Sequence, residues 1–242
     1  MNNSNHSESV RELLAALERD PRIDSQAYPI HVIEQDDRLV MEGTVANIAA
    51  KKLTLRIAQR VCGTCPVLDR LHVAAARMED GELVNEILDI FLGEPVFTEY
   101  GIRVKHGREF ETLRVSKSEL SEMIDIEVLT GVVTLTGRVG SLTHRRLAEV
   151  LAWWTAGCEL VENRLRVVPP EQENDGELTD AVRIVLEKDP LVHSGQISIN
   201  VHHGEVTLHG YVGSEEERRL AVLDAWYVPG VREVVDHIQA KH

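Results

Sequence analysis

Cys62-Gly-Thr-Cys65 has the spacing of a redox dithiol or of half a zinc site. A reactive dithiol needs a helix N-terminus to hold its thiolate. This pair instead follows the C-terminal end of a helical stretch, where the dipole opposes negative charge. Zinc would need two more ligands, and there is no second CxxC. The pair therefore reads as structural, or as a local disulfide under oxidising conditions. His193, His202, His203, His209 and His237 gather near the C-terminus. His209 and His237 could share the outer face of a sheet. The spacing of a His-Glu-x-x-His helix is absent, however, and the neighbouring Gly and Glu suit a solvated turn, so no metal or cofactor is expected. Arg103, Lys105, Arg108, Arg114 and Lys117 form the densest basic stretch. They could contact an anionic group, or be solvated and offset by Glu99, Glu109 and Glu111. Trp153 and Trp154, and again Trp226 and Tyr227, sit at helix ends, where aromatics anchor interfaces. These aromatics, with Arg103, Lys105 and Arg108, are the candidate binding residues. Module packing is the simpler role for the aromatics.

No nucleophile–base pair, phosphate loop or complete metal set is present, so the chain reads as non-catalytic. Its 242 residues carry a net charge of −14, with 43% hydrophobic and 27% charged residues. That composition is ordinary for a globular protein, and the charge repels nucleic acid and anionic lipid. No apolar run reaches the length of a membrane span. The N-terminus lacks a basic region followed by an apolar one, so the expected location is cytoplasmic, or periplasmic if a leader has been removed. Three cysteines are an odd number, which argues against a disulfide framework.

These residues must be positioned by something, and the chain repeats itself. Arg38-Leu-Val-Met-Glu-Gly43-Thr-Val45, Val132-Val-Thr-Leu-Thr-Gly137-Arg-Val139 and Glu205-Val-Thr-Leu-His-Gly210-Tyr-Val212 share one pattern. At constant offsets of 94 and then 73 residues, Lys51, Arg145 and Arg218 align. So do Gly63, Gly157 and Gly230, and likewise Asp69, Asn163 and Asp236. One module used three times is the economical reading. A module of this size is marginal alone, so packing between modules is expected.

The third copy is the clearest. Leu178, Ala181, Val182, Val185 and Leu186 share a helical face, and Asp189-Pro190 ends that helix. Ile197 to Val201 and Val206 to Val212 alternate as a hairpin around His202-His203-Gly204. Ser214 and Glu217 form a capping box opening a helix through Tyr227, and Val234 to Ala240 alternate as a third strand. Each module is thus α-β-β-α-β, two helices on a three-stranded mixed sheet, and the fold class is α+β. The strand-internal Gly43, Gly137 and Gly210 mark a close approach of backbone, expected from the second helix. Asp69, Asn163 and Asp236 are expected inward, hydrogen-bonded to backbone amides at the preceding turn, in a structural role.

The residues Gly43, Val45, Gly63 and Asp69, with their counterparts Gly137, Val139, Gly157, Asn163, Gly210, Val212, Gly230 and Asp236, resemble the BON domain. This module is named for bacterial osmotic-shock and nodulation-associated proteins. Val228-Pro-Gly-Val-Arg-Glu-Val-Val-Asp236 is especially close. The resemblance implies a non-catalytic protein that binds phospholipid or a membrane-associated partner in envelope or osmotic stress. By analogy with a potassium-binding relative, it also implies an alternative: a cytoplasmic adaptor responsive to potassium or a small ligand. The module boundaries are 7–76, 80–169 and 175–242. The middle copy carries about twenty extra residues at about 98–120, where Gly101 to Val115 alternates around His106-Gly107 as an inserted hairpin. The sequence leaves an oligomer open and points to no nucleic-acid partner.

Overall fold

Three helices of the same kind open the three modules. In the computed structural model, which describes residues 3–35, 38–63, 65–76, 78–117 and 122–241, they are α1 (Asn3–Arg19), α3 (Asp80–Gly93) and α5 (Asp175–Lys188). Leu13 and Leu17, Leu83, Ile87 and Phe91, and Leu178, Val182 and Leu186 put one stripe of each helix into the core at four-residue spacings. Asp20, Glu94 or Asp189 then precedes a proline, which disfavours helical backbone at that residue. Glu94 and Asp189 are accordingly extended, with ψ of 119° and 112°.

A hairpin follows in each module: β1 (Ile30–Gln35) with β2 (Arg38–Val45), β6 (Met123–Leu129) with β7 (Val132–Val139), and β10 (Ile197–His202) with β11 (Glu205–Val212). Thr130-Gly131 and His203-Gly204 turn the latter two with positive φ at both residues, the backbone that matches the twist of a two-residue hairpin. The second helices α2 (Ile48–Cys62), α4 (Leu142–Trp154) and α6 (Glu215–Tyr227) begin at Asn47, Ser141 and Ser214. Each of these side chains accepts the N–H three residues on. The chain returns parallel to the second strand as β3 (Val67–Val73), as β8 (Leu160–Asn163) with β9 (Arg166–Val167), and as β12 (Glu233–Ala240).

Gly43, Gly137 and Gly210 lie opposite Ile30, Ile124 and Ile197 in the hairpin register, with φ of 128°, 119° and 153°. A methyl group at any of them would run into a carbonyl oxygen, that of Pro29, Met123 or Gln196. The close backbone is therefore the neighbouring antiparallel strand. The second helix, expected to make the close approach, is not what excludes a side chain at these positions.

The chain forms two compact units, Met1–Ala74 and Ala75–His242. The first is one module around Leu13, Leu17, Met41, Leu53 and Leu71. The second holds the other two modules. Within it the inserted segment forms β4 (Gly101–His106) and β5 (Glu109–Arg114), and β4 runs parallel to β6. The middle module's three strands thereby become a sheet of six in the order β5-β4-β6-β7-β8, with β9 beside β7. Ile102, Val104, Ile124, Ile126, Val133 and Leu135 alternate into its buried face. Among the described residues, no helix is long and apolar enough to cross a membrane.

Candidate functional site

The inserted hairpin uses most of its own charge. Arg103 donates to both carboxylate oxygens of the buried Asp125, at 2.6 and 2.8 Å, and its guanidinium stands 4.5 Å from the centroid of the Phe110 ring. Lys105 pairs with Glu127 at 2.7 Å. Arg114 donates to the carbonyls of Tyr100, Leu92 and Phe97. The compensating acids are thus on β6. Of the acids expected to offset the basic stretch, Glu99 acts on Arg114 through its charge without an ion-pair contact, and Glu111 lies 3.7 Å from His106. Arg103 and Lys105 are thus each paired with an acid of the neighbouring strand. Arg108, at the turn, and Lys117 remain exposed. The outermost strand and the residue beyond it expose Phe110 (46%), Leu113 and Val115 (73%). This edge combines unburied apolar side chains, two exposed cations and a row of backbone groups that no further strand pairs among the described residues.

A second cluster joins the middle and third modules. Arg146 of α4, its side chain 6% exposed, donates to Glu177 of α5 at 3.0 to 3.2 Å and to the Pro229 carbonyl, and lies 3.7 Å from Glu173. Lys188 reaches the buried Glu94 at 2.6 Å, and the Leu142 amide donates to Glu171 at 2.7 Å. Burying an arginine is tolerable only because its guanidinium meets oxygen on several sides. Asp-Gly-Glu-Leu stands at 80–83 and again at 175–178. The two aspartates do the same thing. Asp80 accepts the Thr130 and Gly131 amides, and Asp175 those of His203 and Gly204. The bond to the His203 amide, foremost, holds the Asp175 carboxyl below the usual range. The repeated tetrapeptide could have drawn attention to these residues. Nothing in it announces that Glu177 meets Arg146.

A third cluster also escapes sequence reasoning. The Tyr100 hydroxyl lies 2.6 Å from Nδ1 of His144 and 3.1 Å from Glu122, and accepts the Gly140 amide at 3.0 Å. Burial lowers the His144 pKa and raises that of Tyr100, so both are neutral near pH 7. A neutral phenol beside a neutral imidazole resembles acid–base chemistry, but the third module explains it otherwise. There Glu217 stands at the His144 position and takes the Gly213 amide together with the amide and ring of His193. In both modules the polar group closes the entry to the second helix.

Asp69 and Asp236 share their rungs with the buried Met41 and Leu208, on the face that the second helix covers, and are themselves partly exposed. Each accepts the amide two residues on (Leu71, Ile238), not amides at the preceding turn, and each pairs with the aligned base on the second helix, Lys51 at 3.0 Å or Arg218 at 2.8 Å. Asn163 keeps the first bond, to Leu165, and donates to the Arg145 carbonyl and Glu149. Trp153 and Trp226 are 7% and 4% exposed, which removes them as surface contacts and makes them packing residues. Trp154 and Tyr227 are half-buried. Burial, then Asp224 and Cys158, push the Tyr227 hydroxyl up to about 12. Asp224 is buried in α6, and one of its carboxyl oxygens has no hydrogen-bond partner. Burial, foremost, and the nearby Asp189 raise it to about 8. Cys62 and Cys65 close a disulfide with Cα atoms 5.5 Å apart, while Cys158 is a buried thiol pushed up to about 12 by desolvation. Among the described residues, no group of three or more His, Cys, Asp or Glu is placed to hold a metal.

Three such modules in register, each with the strand glycine and the bonded Asp or Asn, match the BON domain over residues 8–75, 113–169 and 174–241. The chain belongs to the BON family. That family is one of non-catalytic binding modules. The middle BON match begins inside β5, behind α3, although α3 packs on β6 and α4 as α5 packs on its own module. Over 124 residues, 49% of this BON chain and 82% of the relative, it is 29% identical to an Anaplasma centrale protein described as an uncharacterized protein in the gshII 5' region. Among solved structures it is similar to the C-terminal domain of CdsD, a structural protein of the type III secretion system of Chlamydia trachomatis. Identity there is 14%, coverage 96% of this chain and 97% of that one, and the TM-score 0.25. It is also similar to the PrgH periplasmic domain, at 13% identity, 88% and 95% coverage and a TM-score of 0.24. Likeness at those TM-scores carries no argument about this chain.

Proposed function

We propose that this BON protein is a non-catalytic binding protein that engages a phospholipid surface in envelope or osmotic stress. The contact is the outer edge of the inserted hairpin. The observation that carries the reading is the exposure of Phe110, Leu113 and Val115 beside Arg108 and Lys117, on an element that the other two modules lack. Transferring such side chains out of water is worth roughly 1.5–3 kcal/mol each when complete, enough for a reversible contact. With a net charge of −14, Coulomb attraction to anionic headgroups is a minor part of the binding. Vesicles of neutral lipid are expected to sediment the protein at low and physiological salt alike, and Phe110→Ser/Val115→Ser to leave it in the supernatant. No sedimentation with neutral or anionic vesicles, or unchanged sedimentation of the double variant, would exclude this contact. A membrane-held protein partner is the reading that remains if vesicles fail but membranes bearing their proteins retain the chain.

A second reading, a potassium- or small-ligand-responsive adaptor, is favoured by a cleft of about 590 Å³ in the first unit, lined in part by Glu18, Asp20, Asp24, Ser25 and Gln26. Both oxygens of Asp20 are held by Arg22, so a cation or small ligand there would draw on Glu18, Asp24 and the side-chain oxygens of Ser25 and Gln26. A rise in melting temperature with potassium but not sodium would support it.

A further inference from the structure

His209 and His237 occupy the same rung of the third module's sheet, on the parallel strands β11 and β12. Both are exposed, and their rings stack at 4.7 Å between centroids and 16° between planes. The equivalent rung of the first module holds Glu42 and Arg70, joined by an ion pair at 2.8 Å. That pair stabilises a sheet by attraction across two strands. Two imidazoles have no such attraction, and among the described residues neither ring makes a hydrogen bond or ion pair with another side chain. His193 and His144, by contrast, are each held by a partner.

We infer that His209 and His237 form an open two-imidazole site for a divalent transition metal, with the other coordination positions left to water or to a donor from a partner. Imidazole is a favoured ligand of zinc, nickel and copper. A metal about 2.1 Å from each nitrogen needs the two donors roughly 3 to 3.5 Å apart. Exposed rings stacked at 4.7 Å reach that separation by tilting one edge together. The site takes the place of the Glu42–Arg70 pair: a shared cation supplies the cross-strand attraction that two like rings lack. The net charge of −14 raises the local concentration of dications.

The test is calorimetric titration of the full chain with zinc and with nickel at pH 8, in a buffer that does not chelate. One metal per chain is expected, with a dissociation constant in the micromolar to sub-millimolar range. His209→Asn and His237→Asn should each weaken it at least tenfold. His202→Asn/His203→Asn, which removes the other close histidine pair, should leave it unchanged. His209→Glu/His237→Arg installs the first module's ion pair, so it should fold with an unchanged melting temperature in the absence of metal and bind neither ion. Absence of saturation below 1 mM in the natural chain would overturn the inference, as would an isotherm that the His209 and His237 variants do not change.

Discussion

Arg146 and Arg219 occupy the same position of the same helix in consecutive modules, 73 residues apart, and live in opposite environments. The first side chain is 6% exposed and ends on Glu177 and the Pro229 carbonyl; the second is 75% exposed and reaches Glu216 one turn back. The surroundings follow suit. Leu142 and Thr143 beside Arg146 correspond to Glu215 and Glu216 beside Arg219, so α4 offers an apolar shoulder where α6 offers carboxylates. A repeated module thus carries one face that is written for its neighbour and not for its own fold. The third module's version of that face is polar and exposed.

The contrast can be broken most forcefully at Asp224, which stands where the middle module has the buried Leu151. Its folded pKa of about 8 lies above the ordinary 3.8 of an aspartate, so the folded state keeps a proton that the unfolded chain has lost. Below about pH 4 the group carries no ionisation penalty, and stability falls as pH rises from there towards 8, by up to about 6 kcal/mol. Asp224→Leu should therefore raise the melting temperature most at pH 8, little at pH 4, and flatten the pH profile between them. A profile identical to the natural chain's would show that Asp224 is not the cause.

Next comes the junction. Glu177→Ala leaves the buried Arg146 charge with the Pro229 carbonyl and the exposed Glu173 at 3.7 Å, and should cost about 3–5 kcal/mol in denaturant unfolding of the second unit. Glu216→Ala, the same operation on Arg219, should not move the midpoint, because that pair is solvated. Equal effects would erase the distinction between the two arginines. The smallest expected difference is between Gly137→Ala and Gly210→Ala. Each should cost about 1–3 kcal/mol through positive φ and the neighbouring carbonyl, and to a similar extent, because that contact is internal to a module. Unequal losses would mean that the junction reaches into the hairpins.

Legibility followed the same division. The helix stripes, the proline stops, the capping residues at 47 and 214 and the register of the strand glycines were readable because each is a short-range rule acting within about thirty residues. The inserted hairpin was readable from its alternation. Its place beside β6 was not, nor was the use of Arg103 and Lys105 on Asp125 and Glu127. Those partners are 22 residues away and meet only because β4 pairs with β6. Trp153 and Trp226 could be interface anchors or, more simply, packing residues, because a residue type at a helix end does not reveal which way the end faces. Tyr100 and His144 went unnoticed because the first lies in an insertion and the second replaces the glutamate of the third module.

By itself, then, the sequence determined three α-β-β-α-β modules, their order, and the glycines and Asp or Asn residues on which each depends, since these rest on backbone sterics and periodicity that every copy repeats. Only the tertiary structure decided which charges are buried, which aromatics are core and which edge is open. Those properties belong to pairs of surfaces brought together from distant stretches of chain, and the energy of a charge depends on the water that the partner surface removes.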